Sequence, residues 1–411
     1  MNLKITNVTL PDRKGNWNVA IANGYITKIT AELIAEETDE TLDGKGNLLI
    51  PGLVDPHIHL DKALLLDRYP AVAGTFEEAL QKTLEAKSKY TVADIQARAR
   101  KVIEQAIAFG TTAMRTHVEV DPILQLKSIE ALLPLKAEYV WGINLQLAVF
   151  AQEGITNQPG TLDLLKQAMV MGGDVIGSAP YVDPNPEENI RLIFDLAQEF
   201  DCDVDFHLDF LDDDAPLLLP IVINETKARN WHNRVCLGHM TKLAGLTPKE
   251  LGDFIPQLKA AGIAIFALPA TDLYMMAKQD THNVRRGVAP IHQLAESGVK
   301  AGLATNNVQN LFTPFGDGDV LKICTLLAQV LHLGTTASHQ LCMDLATVKA
   351  AEAIGINDYG IEVGKAADLV LVGVNSVSKA IASAPLERTV IKHGKVIASS
   401  NLVTNFRKDL I

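Results

Sequence analysis

The feature that most restricts this chain is a repeated change of rhythm. Eight short apolar runs occur near Leu53–His57, Thr112–His117, Asn144–Phe150, Val175–Ala179, Asp203–His207, Arg234–His239, Ile263–Leu268 and Val299–Ala304. Between them apolar residues return with the helical period, as in Thr91–Phe109, Pro122–Ala137, Thr161–Met171, Glu187–Phe200, Thr247–Ala261 and Ala289–Ser297. Thr91 is a helix-start signal, and Thr247-Pro248-Lys249-Glu250 reads as a capping box with proline at the first helical position. Strands alternating with helices pair in parallel through right-handed crossovers, and eight such units predict an α/β fold closed as a TIM-type barrel. An open doubly wound sheet is the competing architecture, but no Gly-x-Gly-x-x-Gly follows a strand.

The two ends of the chain read differently. Short β-rich runs around Leu3–Leu10, Asn18–Ala22 and Tyr25–Thr30 are separated by Asp12 and Asn23-Gly24, and similar runs return at Ala367–Val372, Arg388–Lys392 and Lys395–Ala398. These are hairpin signals. We expect residues 1–50 and 360–411 to share a composite β-sandwich domain, with residues 51–359 forming the barrel. In a chain of 411 residues, 47% hydrophobic and 21% charged, a sizeable soluble core is available.

Charge and composition narrow the partners. A net charge of −12 argues against a nucleic-acid backbone and fits a small neutral or cationic substrate. The most apolar stretch, Ala261–Ala277, is broken by Asp272 and falls short of the roughly 18 apolar residues that span a membrane. The N-terminus lacks signal-peptide character, so a cytoplasmic location is the expectation; a homo-oligomer is compatible with it. Cys202, Cys236, Cys324 and Cys342 lie far apart and are expected to be buried apolar filler.

Chemistry in such a barrel collects at the C-terminal ends of the strands. Five of the eleven histidines fall there: His57 and His59 on the first strand, His117 on the second, His207 on the fifth and His239 on the sixth. Side chains alternate along a strand, so His57, His59 and Asp61 face one way. A metal site needs about three protein ligands and an open position, which His57, His59 and His207 supply. His239 is either a fourth ligand or a group that polarises substrate, and His117 either orients a neighbour or is a hydrogen-bonded core histidine. Asp61 faces the same side, with a loop-tying role as the alternative.

These residues carry a resemblance. Pro51–Asp61, Arg115-Thr-His-Val-Glu-Val-Asp121, Phe150-Ala-Gln-Glu-Gly154, Asp205-Phe-His-Leu-Asp209, Arg285-Arg-Gly287 and Tyr359–Leu369 together resemble the amidohydrolase superfamily, in particular its cytosine deaminase and N-isopropylammelide hydrolase group. The resemblance implies one divalent ion, zinc or iron, on His57, His59 and His207. It also implies that Gln152 reads the edge of a ring substrate and that His239 stabilises the attacking hydroxide or the developing charge. Three positions depart from the pattern. Phe210 stands where cytosine deaminases carry a proton-shuttling glutamate, and Asp209 where the isopropylammelide enzymes carry a histidine. Asn306, followed by Asn307, stands where the family has a metal-binding aspartate.

An asparagine offers a carbonyl oxygen but neither charge nor useful basicity. The remaining candidates for the base are Asp209, at the parity of His207, and Asp61; Asp212, Asp213 and Asp214 lie farther along the loop, where solvation is expected. The leading expectation is therefore a metal-dependent hydrolase of a C–N bond, a deaminase acting on a small nitrogen heterocycle, with Asp209 in proton transfer. The alternative is a degenerate barrel that binds a heterocycle or a protein partner without efficient catalysis. A third reading gives Phe210 the role of a wall stacked on some other ring substrate.

Overall fold

The computed structural model describes residues 3–35, 39–210 and 213–406, so Asp212 lies outside the described residues. All eight expected barrel strands are present: β6 (Leu53–Ile58), β7 (Thr111–Glu119), β8 (Asn144–Ala151), β9 (Val175–Ser178), β10 (Asp203–Leu208), β11 (Val235–His239), β12 (Ala264–Ala267) and β13 (Lys300–Leu303). They lie side by side in chain order, and each neighbouring pair is parallel. Every residue of β6 and β7 is buried, as parallel strands between a filled barrel interior and an outer helical layer must be. The seam between β13 and β6 is closed by main chain from Asn306: its N–H donates to His57 O (3.0 Å) and its carbonyl accepts from His59 N–H (2.9 Å).

The helices follow from their capping chemistry. Thr91 Oγ1 accepts from Asp94 N–H at the start of Val92–Ala108, and Thr247 with Glu250 forms the expected capping box on Pro248–Ala261. One start differs from expectation. The helix predicted from Pro122 begins at Lys127, because Asp121 Oδ1 accepts the N–H groups of Ile123 and Leu124 (2.7 and 2.8 Å) and holds that segment in a turn.

The termini share one mixed sheet, in the order β16-β15-β14-β5-β1-β2-β3 with β4 on the edge of β1. Its members are β1 (Leu3–Leu10), β2 (Arg13–Ala22), β3 (Tyr25–Thr30), β4 (Glu40–Asp43), β5 (Leu48–Pro51), β14 (Leu369–Val372), β15 (Arg388–Lys392) and β16 (Lys395–Ser400). Asn23-Gly24 and His393-Gly394 turn two of its hairpins with positive φ at both residues, the backbone that matches strand twist. Buried cations tie this sheet to the barrel. Arg388 grips Asp319 at 2.7 and 2.8 Å, and Lys392 reaches Asp368 (2.5 Å) and Thr112 O (3.1 Å). Breaking either pair would strand a charge; the Arg388–Asp319 pair and the Lys392 contact to Thr112 O fix the docking of sheet on barrel more than they add stability.

Candidate active site

His57 and His59 stay on one face because the seam hydrogen bonds to Asn306 hold the chain extended past the last residue of β6. His207 comes up from β10, and its Nε2 lies 3.1 Å from His57 Nε2 and 3.0 Å from His59 Nε2. Three imidazoles around one ion at the usual Zn–N distance of about 2.0–2.1 Å would hold their nitrogens about 2.9–3.3 Å apart, so the arrangement fits. Burial, then the neighbouring histidines, push His57 and His207 well below the usual imidazole range, and burial with Lys62 does the same to His59. Neutral rings with free lone pairs are the form a metal takes. Room for His57 comes from Gly238, opposite His207 on β11, where a Cβ would lie 2.7 Å from the His57 ring.

His117 stands beside this trio, its ring centroid 3.9 Å from that of His57 and its Nε2 3.3 Å from Asp205 Oδ1. Asp205 is in turn held by Arg115 at 2.9 Å. Burial raises Asp205, but His117 and Arg115 outweigh it and keep the carboxyl below its ordinary range. A buried carboxylate there orients the histidine layer from beneath.

His59, His207 and His239 open on a small cavity of about 20 Å³, bordered also by Gln152, Phe210 and Asn306. That is room for about one water. Phe76 and Phe312 cover it with Phe210, the Phe76 ring lying 5.9 Å from Phe210 and 6.1 Å from Phe312. A larger cleft of about 810 Å³ lies elsewhere, lined by Lys242, Arg285 and Arg286, but contains none of the clustered histidines. Asp213 and Asp214 border that cleft, and Asp213 pairs with Lys242.

Asn306 is buried, and neither its Oδ1 nor its Nδ2 has a partner among the described residues. His239 is at φ +70 at the end of β11, and its Nδ1 lies 2.7 Å from Asp272 Oδ1. Asp272 also accepts from Leu268 N–H (3.1 Å). The histidine tautomer is thereby set, with Nε2 free on the cavity side.

Two carboxylates expected here are engaged elsewhere. Asp209 is at φ +48, and its oxygens accept from Leu218 N–H (2.8 Å) and Leu219 N–H (3.1 Å) at the start of the next helix; it does not line the cavity. Asp61 accepts from Glu119 N–H at 2.8 Å, the loop-tying role. Residues that the sequence reading passed over are Asp272, Lys62 and Phe76. A lone carboxylate in an apolar stretch after a barrel strand was the available signal for Asp272, since an unpaired buried acid is costly.

Lys62 enters from the segment after His59, donating to Glu119 Oε1 (2.5 Å) and Gln152 Oε1 (3.2 Å), with Phe312 4.9 Å away as a cation–π partner. Behind it Lys87 reaches Glu119 (2.8 Å), Asp121 (3.0 Å) and Glu153 (2.5 Å). Burial raises Glu119, but Lys62 and Lys87 outweigh it and hold it at about 2.

A closed parallel barrel with a histidine cluster at its C-terminal rim, joined to a mixed sheet from both termini, is an amidohydrolase architecture. The chain belongs to the amidohydrolase family, whose model matches residues 48–397. It is 30% identical to N-isopropylammelide isopropyl amidohydrolase of Pseudomonas sp. (strain ADP), over 98% of each chain. It is 27% identical to a pterin deaminase of Rhizobium rhizogenes (strain K84 / ATCC BAA-868), over 93% of this chain and 88% of the relative. Among solved structures it superposes on 5-methylcytosine deaminase from Klebsiella pneumoniae liganded with 5-fluorocytosine, with a TM-score of 0.92 and 29% identity over 99% of both chains.

Proposed function

We propose that the chain is a metal-dependent hydrolase that cleaves a C–N bond at a ring carbon of a small nitrogen heterocycle, releasing ammonia or an amine. The observation that carries this reading is the convergence of the His57, His59 and His207 Nε2 atoms to 3.0–3.1 Å at the cavity. The relatives support the substrate class: their names describe an isopropylammelide amidohydrolase, a pterin deaminase and a 5-methylcytosine deaminase. Held by those three histidines, a zinc or iron ion supplies Lewis acidity and lets water act as a nucleophile near neutral pH.

The chain's own residues do the rest. His239, fixed by Asp272, offers Nε2 to take a proton from the attacking water and pass it to the leaving nitrogen. Gln152 orients the ring edge, and Phe210 packs against the ring face at the position where cytosine deaminases carry a glutamate and the isopropylammelide enzymes do not. Asn306 presents a neutral oxygen toward the histidines. The aromatic cover excludes bulk water, which strengthens each polar contact inside. Asp209 is given a structural role, because both its oxygens are committed to the backbone of the following helix.

Asn306 and Phe210 favour a second reading, binding without efficient catalysis. Metal analysis of protein from metal-replete expression, with turnover assays on pyrimidines, pterins and triazines, separates the two. We expect about one ion per chain and turnover of at least one ring class. Metal without turnover on any class would transfer the case to the second reading, and metal-free protein would overturn the first.

A further inference from the structure

We infer that the larger cleft is a second ligand site, separate from the histidine cavity, that takes a small organic acid: a carboxylate on an apolar body, held by Arg286. The Arg285-Arg286-Gly287 motif, which the hydrolase reading leaves without a task, forms part of its wall. At about 810 Å³ the cleft falls within the roughly 300–1,000 Å³ of sites that enclose a small molecule. Leu243, Leu246, Leu251, Val288 and Leu331 give it apolar surface on which a hydrocarbon body can be buried. Among the described residues three side-chain cations, Lys242, Arg285 and Arg286, line it against two acids, Asp213 and Asp214, in a chain of net charge −12.

These charges are not equally spent. Lys242 pairs with Asp213 and donates to Ala215 O (2.8 Å), and Arg285 donates to Asp280 through Nε (2.8 Å) and Nη2 (2.9 Å). Arg286 differs. Among the described residues its guanidinium meets no carboxylate; Nη2 donates to His332 Nε2 at 2.9 Å, an acceptor that adds no negative charge. A planar fork in that state matches the two oxygens of a carboxylate. The turn that carries it is seated: Gly287 has φ +61, and a Cβ there would collide with Met276 Cβ. Asp214 is the group that would favour a cation instead. The cleft also neighbours the histidine cavity, because Thr241 lines it and donates through Oγ1 to the carbonyl of Phe210, which lines the cavity.

The test is calorimetric titration near neutral pH with phenylacetate, phenylacetamide and phenethylammonium, which share an apolar body and differ in charge. Phenylacetate is expected to bind about tenfold or more tightly than either of the others, as a charge-assisted contact implies. Arg286→Gln, at an exposed position, should reduce that preference about tenfold with metal content unchanged. His207→Ala should bind phenylacetate as the parent does, since the cleft contains none of the clustered histidines; metal-stripped parent protein serves instead if that variant fails to fold. No saturable binding, equal binding of the three probes, preference for phenethylammonium, or an unchanged preference in Arg286→Gln would overturn the inference. So would loss of phenylacetate binding in the His207→Ala or metal-stripped protein, which would place the acid at the histidines. Binding is read without turnover, so failure here is distinct from failure of the hydrolase reading, which metal content and product formation decide.

Discussion

Two buried polar clusters lie next to each other at the barrel rim, and by composition both could hold a cation. His57, His59, His117 and His207 bring ring nitrogens together, and Glu119, Asp121 and Glu153 bring carboxylate oxygens together. Their accounting differs. The acids surround Lys87, which reaches all three of them at 2.5–3.0 Å, so the position a metal would take is filled by an ammonium group. Among the described residues the histidines surround no side-chain cation, and the Nε2 atoms of His57, His59 and His207 have only one another as partners. Convergence alone therefore does not mark a site; convergence with unspent bonding capacity does.

The sharpest way to break this contrast is to empty the acid cluster. Lys87→Met leaves Asp121 and Glu153 without their cation and Glu119 with Lys62 alone, and should cost about 3–5 kcal/mol in chemical denaturation. Metal per folded chain should not change. The reverse experiment is His207→Ala, which should abolish metal binding yet cost the metal-free protein no more than about 3 kcal/mol, the ordinary range for one substitution. Asp272→Asn unsettles the His239 tautomer and should lower turnover about 10- to 100-fold with metal retained. Asn306→Asp gives the histidine side the charge it lacks, and zinc affinity in a competition titration should rise about tenfold.

The smallest effect is with pH. Glu119 is held at about 2 against an ordinary 4.5, so its stabilisation is fully present above about 4.5 and lost as pH falls toward 2. Lys87→Met should flatten the acid limb of the stability profile over that window.

The barrel was legible because continuous apolar runs are what doubly covered parallel strands require, and the histidine trio because parity holds within a strand. Parity fails once a strand has ended. Asp209 shares the parity of His207, but β10 stops at Leu208 and the left-handed backbone at Asp209 (φ +48) turns its carboxylate to the next helix. His59 also lies beyond its strand, yet remains in line because the seam bonds to Asn306 extend the pairing. Asp272 was hidden for another reason: its partner His239 is 33 residues away, and such a pair has no local pattern. The helix start at Lys127 was missed because Asp121 spends its carboxylate on the turn before it.

The cover over the histidines has a consequence in time. A space of about 20 Å³ admits water but no six-membered ring, so side chains that line it, with Phe76 and Phe312 the expected pair, have to give way before any such ligand reaches the trio. Association should then run slower than free diffusion allows and saturate at the rate at which the two rings part. Phe76 stands at the first position of the helix Phe76–Lys87, whose far end carries the Lys87 that anchors the acid cluster. One helix thus brings Phe76 to the histidine cavity and Lys87 to the acid cluster, so a change that loosens the acids should also alter the pace at which a ligand reaches the histidines.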